Sequence, residues 1–494
     1  MRNAERMALV CLSLLWHLGC GVAIAGPFDW DVSYYFGVAQ AIVAGHGPTS
    51  DAIWNLAWLP PSLAHPADLH WMPLPSRVLV PGLMVARRLG SDPWRAAQIT
   101  TALLGALHAL LAVAWVERLS VSGEARRGLA WCAGVLAGSG LGYVGFFSVP
   151  DSMAAFGLAA GVAFFAVTGE GAEGRRAWAG PAVAALASGA AALCRSEGAL
   201  VGVCVAVGFL AQRRWWAATA GVSGLVAALA WTVRNTLQVG EGAFALRERA
   251  FNAVRAEDWL VPHTLPPLGF GDRAALLGSH ALDLVKTPFA AGALLLPLAL
   301  FVVGVAWRDG RKAMLVAPAL FAVLMPLTLY GLVPSLAIEG SVFRSGSALL
   351  SVAVATAVVG LSGGSARFHP LFFPGLYTVA QLVVVARIAS TSTQFSAPFP
   401  DCAALDAAGV PAGAPIFSYD PLGTSARCQH PGVILGAATT PAELAALRDR
   451  YGIHWALTAP ADYRSWTWRE DTFSDPAWTR SAASPRVFTR TPDR

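Results

Sequence analysis

Long uncharged apolar runs, separated by short links that carry Arg, recur along most of this chain. A run of about 20 such residues suits a helix that crosses the hydrocarbon core of a bilayer. Candidate spans are 7–25, 96–116, 128–148, 151–168, 177–194, 197–212, 215–233, 285–306, 313–333, 341–361 and 368–388, about eleven in all. Several are rich in Ala and Gly, as close helix packing in lipid favours. The stretch "VLVPGLMVA" at 78–86 is too short to span and contains Pro81. With Arg77, Arg87 and Arg88 beside it, it reads as an interfacial helix.

With 78–86 kept out of the spans, the links alternate between two sides. One side receives Arg2 and Arg6, then Arg118, Arg126 and Arg127, then Arg175 and Arg176. It also receives Arg213 and Arg214, then Arg308, Arg311 and Lys312, and finally Arg367. The positive-inside rule makes that side cytoplasmic. The opposite side receives the long segments. The expected architecture is an all-α polytopic membrane core over 1–388, with a long first extracytoplasmic loop at 26–95 and a lid-like loop at 234–284. Beyond it, in the segment 389–494, "APIFSYDPLG" and "ELAALRDRYGIHWALTAP" alternate strand-like and helical runs. That pattern predicts a small extracytoplasmic α/β domain. "SYDP" within it reads best as a strand-ending turn.

Composition supports the same class. The 494 residues are 55% hydrophobic and 13% charged, with a mean hydropathy of +0.53, which excludes an ordinary soluble globule. The formal charge of +5 sits in links between spans and gives no sign of nucleic-acid binding. The start, "MRNAERMALVCLSLLWHLGCGVAIAG", reads either as a first span or as a signal peptide cleaved before Gly26; both leave residue 26 outside. Of seven Cys, five lie in or beside apolar runs, whereas Cys402 and Cys428 fall in the exterior segment, where an oxidising compartment would let them pair.

The first exterior loop concentrates the candidate chemistry. Residues 26–75 hold four Asp and three His but no Lys, Arg or Glu, together with Trp30, Trp54, Trp58 and Trp71. "SYYFGVAQAIVAG" has helical periodicity and stops at Gly45, which puts Asp31 near a helix start. Asp31 is then either an N-cap or a general base in an outward-facing cleft.

The stretches "FDWDVSYYFGVAQAIVAGHGP" and "HPADLHWMPLPS" together resemble the first exterior loop of the C-type glycosyltransferases, integral membrane enzymes that use polyprenyl-phosphate-linked sugars. The protein O-mannosyltransferase, aminoarabinose transferase-like and oligosaccharyltransferase branches are the nearest in pattern. Further on, "SVPDSMAAFG", "ALCRSEGALVG", "WTVRNTLQVG" and "GSVFRSGSALLSVA" resemble that superfamily's later motifs in the expected order. Asp-Trp-Asp replaces the frequent Asp-Glu pair, Ser196 a frequent Pro, and Ser345 the usual Tyr.

The resemblance implies transfer of a sugar from a polyprenyl-phosphate donor to a lipid, glycan or protein acceptor, with inversion, at the periplasmic face of a bacterial-type inner membrane. Asp31 is the expected base, with Asp29 as its catalytic companion. Asp151, Arg195, Arg234, Arg344 and His70 are the expected substrate-binding residues, the arginines because a planar, permanently charged fork matches phosphate oxygens. Asp29 and Asp151 are also possible ligands of Mg²⁺ or Mn²⁺, since carboxylates suit such ions. Arg195 and Arg234 equally suit snorkelling at span ends. Arg344 stands near the start of its span, where the helix dipole disfavours a cation, so it needs a partner most. His65 and His70 also read as turn residues. A transporter or lipid-carrier flippase, or a non-catalytic scaffold of the same fold, are the alternatives. Against transport, charges avoid span interiors and crowd one interface.

Overall fold

The computed structural model describes residues 1–119, 125–140, 143–169, 178–261, 264–279, 312–334, 341–363 and 399–461, with 467–469, 473, 475–490 and isolated positions between 383 and 390. The protein is a mostly helical, multi-pass membrane protein with a small C-terminal α/β sheet region. Five described helical stretches are long and apolar enough to cross a bilayer: Asn3–Val22, Pro93–Leu119, Trp215–Val239, Ala313–Gly331 and Ser341–Val359. Helix α1 (Asn3–Val22) packs on α4 (Pro93–Leu119), and between them come α2 (Trp30–Ala44) and α3 (Leu74–Leu89). Next are α5 (Ala125–Gly138), α6 (Val144–Phe147), α7 (Met153–Val167), α8 (Ala179–Cys194) and α9 (Gly198–Ala211). A 3₁₀ turn leads into α10 (Val222–Val239), with α11 (Glu241–Asn252) and α12 (Phe270–Ser279) after it. Then come α13 (Lys312–Gly331), α14 (Ser341–Ser345) and α15 (Leu350–Gly363). The expected spans 285–306 and, apart from isolated positions, 368–388 lie outside the described residues.

Two stretches depart from the expected spans. The run 128–148 is not one helix: α5 ends at Gly138, and Gly140 at φ +79° turns the chain before α6. Helices α7, α8 and α9 are 15, 16 and 14 residues long, shorter than the runs expected there. Small residues let these helices approach closely. An added Cβ at Gly198 on α9 would clash with the Ala191 backbone of α8, and one at Gly202 with the Gly221 backbone of the 3₁₀ turn that follows α9. The core centres on Trp115, Phe147, Phe156, Phe164, Phe209 and Phe321, all fully buried.

The exterior segment holds α16 (Pro400–Ala407), β4 (Ile416–Ser418), α17 (Pro421–Cys428), β5 (Gly432–Ile434), α18 (Pro441–Tyr451), β6 (Trp455–Leu457), β7 (Trp478–Arg480) and β8 (Val487–Arg490). Strands β4 and β6 and helix α18 fall where the apolar alternation places them, and α17 is an additional helix that the pattern did not mark. Helix α18 opens on a capping box between Thr440 and Glu443 and stops at Gly452, φ +64°. Asp420 of "SYDP" caps α17 by accepting from the Gly423 N–H at 2.9 Å. Cys402 and Cys428 form a disulfide between α16 and α17.

One connection is invisible in the hydropathy pattern. The first loop forms a small antiparallel ladder between β1 (Thr49–Ser50) and β3 (His65–Pro66), and between them lies β2 (Ala52–Ile53). Strand β2 pairs parallel to β5, completing a six-stranded sheet of order β2-β5-β4-β6-β8-β7. Tyr451 donates to the Pro60 carbonyl at 2.7 Å, and Arg427 donates to the Pro27 carbonyl at 3.0 Å. The exterior sheet is therefore bonded to the loop that carries the acids.

Candidate active site

Four separate segments meet at one end of the helical core. Helix α2 brings Asp29 at its N-cap and Asp31 in its first turn. The turn before α7 brings Asp151, the link between α8 and α9 brings Arg195 and Glu197, and α14 brings Arg344. Asp31 does not cap its helix. Its Oδ1 accepts from the Trp71 indole N–H at 2.8 Å, and its Oδ2 lies 3.2 Å from Arg344 Nη1. Asp29 occupies the N-cap, yet its carboxylate is ion-paired with Arg344 Nη2. Asp151 accepts from the Met153 N–H at 2.9 Å through Oδ1, while its Oδ2 stands 3.7 Å from Arg344 Nε.

Each guanidinium nitrogen of Arg344 thus faces a different carboxylate, and the residue is only 5% exposed. This is the partner that its position near a helix start demands. A buried charge removed from water is tolerated where opposite charges and hydrogen bonds surround it.

Arg195 is equally committed. It donates to Ser152 Oγ at 3.0 Å, to Glu197 Oε1 at 3.0 Å and to Ser341 Oγ at 3.1 Å. Ser345, where the resembling motif usually has Tyr, donates to the same Glu197 oxygen at 2.8 Å. Glu197 is a site residue that sequence reasoning passed over, although it stands inside the "RSEG" segment. The pocket therefore sets four carboxylates against two guanidinium groups.

Arg234 does not join this group. It lies on α10 with its guanidinium 4.3 Å from the Trp231 ring centre, donating to Asn235 Oδ1 at 2.9 Å. Beside it, Arg77 donates to Asp68 Oδ2 at 2.6 Å. Neither Arg77 nor Asp68 stood out in the sequence as a site residue. Asp68 adopts φ +65°, a strained conformation for a non-glycine residue, and its carbonyl accepts from Trp231 and Asn235 at 3.0 Å each. The two clusters are linked. Tyr34 accepts from the Asp68 N–H, and its ring stacks at 4.2 Å on Trp71, which donates to Asp31.

His70 packs among Trp54, Trp71 and Trp259, with ring centres 4.8, 5.1 and 5.0 Å away. Burial pushes its pKa down to about 4, so the neutral ring is held. The adjoining cavity, lined by Asn55, His65 and Asp68 among others, has ≈ 30 Å³ of free space, room for a water or two rather than a sugar ring.

The charge needed to hold Asp29 and Asp151 together comes from Arg344. Among the described residues no group of three His, Cys, Asp or Glu is spaced to hold a metal ion. With a guanidinium already between these carboxylates, their arrangement does not fit a divalent cation.

The helical core, the long first loop and the exterior sheet together make a fold that solved membrane proteins share. Solved structures make the likeness specific. ArnT from Cupriavidus metallidurans, in the apo state, superposes with a TM-score of 0.56 at 15% identity, covering 99% of this chain and 98% of that one. The same protein bound to undecaprenyl phosphate gives 0.54 at 15% identity with the same coverage. The archaeal oligosaccharyltransferase AglB from Archaeoglobus fulgidus, in complex with an inhibitory peptide and a dolichol-phosphate, gives 0.53 at 11% identity, covering 92% of this chain and 69% of that one. No protein-family model matches the chain, and no curated protein matches it in sequence. The likeness is therefore one of fold.

Proposed function

We propose that this protein transfers a sugar from a polyprenyl-phosphate carrier to a hydroxyl-bearing acceptor, inverting at the anomeric carbon, on the extracytoplasmic face of a bacterial-type inner membrane. The observation that carries the reading is the position of Asp31. It lies in the first turn of a helix in the first loop, aimed by Trp71 and flanked by Arg344, within a fold shared with lipid-phosphate-sugar transferases. A carboxylate so oriented can take the acceptor proton as the acceptor oxygen attacks the anomeric carbon and the sugar–phosphate C–O bond breaks. The proton ends on Asp31 and the bond's electrons on the phosphate, whose growing charge needs cationic stabilisation. Arg344 lies against Asp31, and Asp29 and Asp151 share that guanidinium and keep it in place.

The Cys402–Cys428 disulfide supports the extracytoplasmic side, because such bonds persist where thiols are oxidised. The first loop carries the acids and donates a strand to that same sheet.

The test is sugar transfer in membranes from a radiolabelled polyprenyl-phosphate sugar, with wild type beside Asp31→Asn. Loss of a positioned general base is expected to lower the rate about 10²–10⁴-fold with donor binding retained. Unchanged transfer would remove Asp31 from this role, and no transfer by wild type to any lipid, glycan or protein fraction would overturn the enzymatic reading.

A further inference from the structure

We propose that the protein binds an anionic phospholipid in the leaflet opposite its acid cluster, with the lipid phosphate held in an arginine cleft where the ends of α1, α4 and α5 meet. The cleft lies at the far end of α1 from Asp29 and Asp31, a helix of 20 residues and about 30 Å. It is therefore independent of the proposed reaction. On the proposed orientation, that leaflet faces the cytoplasm.

Three observations lead there. The first is a built cavity. Arg2, Glu5, Glu117, Arg126 and Arg127 line a cleft with ≈ 500 Å³ of free space, against ≈ 30 Å³ beside His70. That is room for a phosphate and its glycerol. Contacts between helices frame it. Arg6 of α1 donates through Nη2 to both carboxylate oxygens of Glu117 on α4, at 2.8 and 2.7 Å. Glu5 of α1 is ion-paired with Arg127 of α5, and Arg126 of α5 donates to the Glu117 carbonyl at 2.5 Å.

The second is the charge and the donors left over. Among the described residues, the four arginines 2, 6, 126 and 127 stand against the two carboxylates of Glu5 and Glu117, both already paired. An anion entering the cleft meets a surplus of positive charge. Arg2 reaches Glu5 only at 3.4 and 3.5 Å, through Nε and Nη2, and its side chain is 80% exposed. Arg126 and Arg127 each commit only Nη2. Their remaining N–H groups, with Nη1 of Arg2, are forked donors of the kind that matches phosphate oxygens.

The third is the lipid-facing side of the cleft. Helices α1 and α5 both run away from it, and they close on each other where Leu9 faces Gly134 and Ser13 faces Gly138. At about 3.6 residues per turn, Leu12 of α1 and Val135 of α5 fall on the same side of that seam as Glu5, the partner of Arg127. Both are exposed apolar side chains, at 56% and 43%. Trp16 closes the seam further along by donating to the Ser139 carbonyl at 3.1 Å. An acyl chain laid against Leu12 and Val135 brings its phosphate to the arginines, which selects a lipid over a soluble phosphate.

The test uses the full-length protein in detergent micelles, titrated with phosphatidylglycerol, with phosphatidylcholine and inorganic phosphate as controls. Binding is read by native mass spectrometry and by the thermal midpoint. Phosphatidylglycerol is expected to bind roughly tenfold more tightly than either control, in a salt-sensitive manner, and to raise the midpoint by about 2 °C. Arg2→Gln and Arg126→Gln each remove a cation without stranding Glu5 or Glu117, so their lipid-free midpoints should stay near that of wild type. Each should weaken binding about fivefold, and the two together about twentyfold, as solvent-screened charge contacts are lost. Arg213→Gln alters an exposed arginine at the same end of the helical core but outside the cleft, and should leave binding unchanged.

Equal affinity for phosphatidylcholine would overturn the charge clamp, and equal affinity for inorganic phosphate would mean a soluble-anion site and overturn the lipid assignment. Binding that survives the double variant would overturn the cleft as its location. An equal loss in Arg213→Gln would mean a general attraction of basic surface for anionic lipid and would overturn it too. None of these outcomes touches Asp31, so the proposed reaction stands or falls separately.

Discussion

The acid cluster and the exterior sheet bury polar groups by opposite means. In the cluster, four distant segments contribute charges that satisfy one another across long sequence separations, as Arg344 does with Asp29, Asp31 and Asp151. In the sheet, several polar groups are satisfied locally: Thr440 and Glu443 cap α18, Asp420 caps α17 and pairs with Arg427, and the strands exchange backbone hydrogen bonds. A region held by mutual charges fails when one partner is lost. A region held by caps, ladders and a disulfide loses stability in small steps. The cluster is therefore brittle, and its brittleness falls on the residues proposed to carry the chemistry.

That contrast can be broken most directly at Arg344. Arg344→Met leaves three buried or half-buried carboxylates without their cation. It should cost about 3–5 kcal/mol and abolish transfer, as read from thermal unfolding in detergent and from the transfer assay. If midpoint and activity both held, the cluster would not be the charge-locked unit described. On the sheet side, Cys402→Ser/Cys428→Ser opens a disulfide of sequence separation 26 and should cost about 3 kcal/mol, confined to residues 400–490. Hydrogen exchange should show that region loosening while the helical core stays protected.

A smaller effect is expected at His70, between the two regions. Its folded pKa of about 4 lies below the ordinary value near 6.5, so the folded state favours the neutral ring. The resulting stability is complete above about pH 6.5 and is lost as pH falls toward 4, because the unfolded chain takes up the proton first. His70→Phe should remove about 2 kcal/mol of acid sensitivity within that window and leave stability at pH 8 nearly unchanged. Smallest of all, Arg427→Lys keeps a charge near Asp420 but gives up the fork that also reaches the Pro27 carbonyl. A loss of about 1 kcal/mol is expected, with faster amide exchange at 29–33 if the sheet truly braces the acid loop.

Local signals made much of the fold legible. The stop of α2 at Gly45, most of the described long apolar runs and the alternation of strand, helix and strand after 410 are short-range features that appear where the pattern put them. Asp29 rather than Asp31, however, stands at the start of α2. The break at Gly138–Gly140 escaped, because a hydropathy run does not register a single left-handed residue. Strand β2 escaped because two residues carry no period, and its partner lies nearly four hundred positions away. In the site, Asp29, Asp31, Asp151, Arg195 and Arg344 could be singled out by residue type, motif and side of the membrane. Arg234 could be singled out too, but its separation from the others could not be read. Glu197, Arg77 and Asp68 acquire meaning only through the partners they meet.

The amino-acid order by itself determined the class of molecule: a membrane protein whose acids and arginines gather at one interface. It did so because hydrophobic thickness, link charge and capping act over a few to about twenty residues. Only tertiary structure decided which carboxylate faces which guanidinium, and that Arg234 stands with Arg77 on Trp231 rather than with Arg344. Those choices depend on the relative rotation and depth of packed helices, and no local stretch of sequence encodes that quantity.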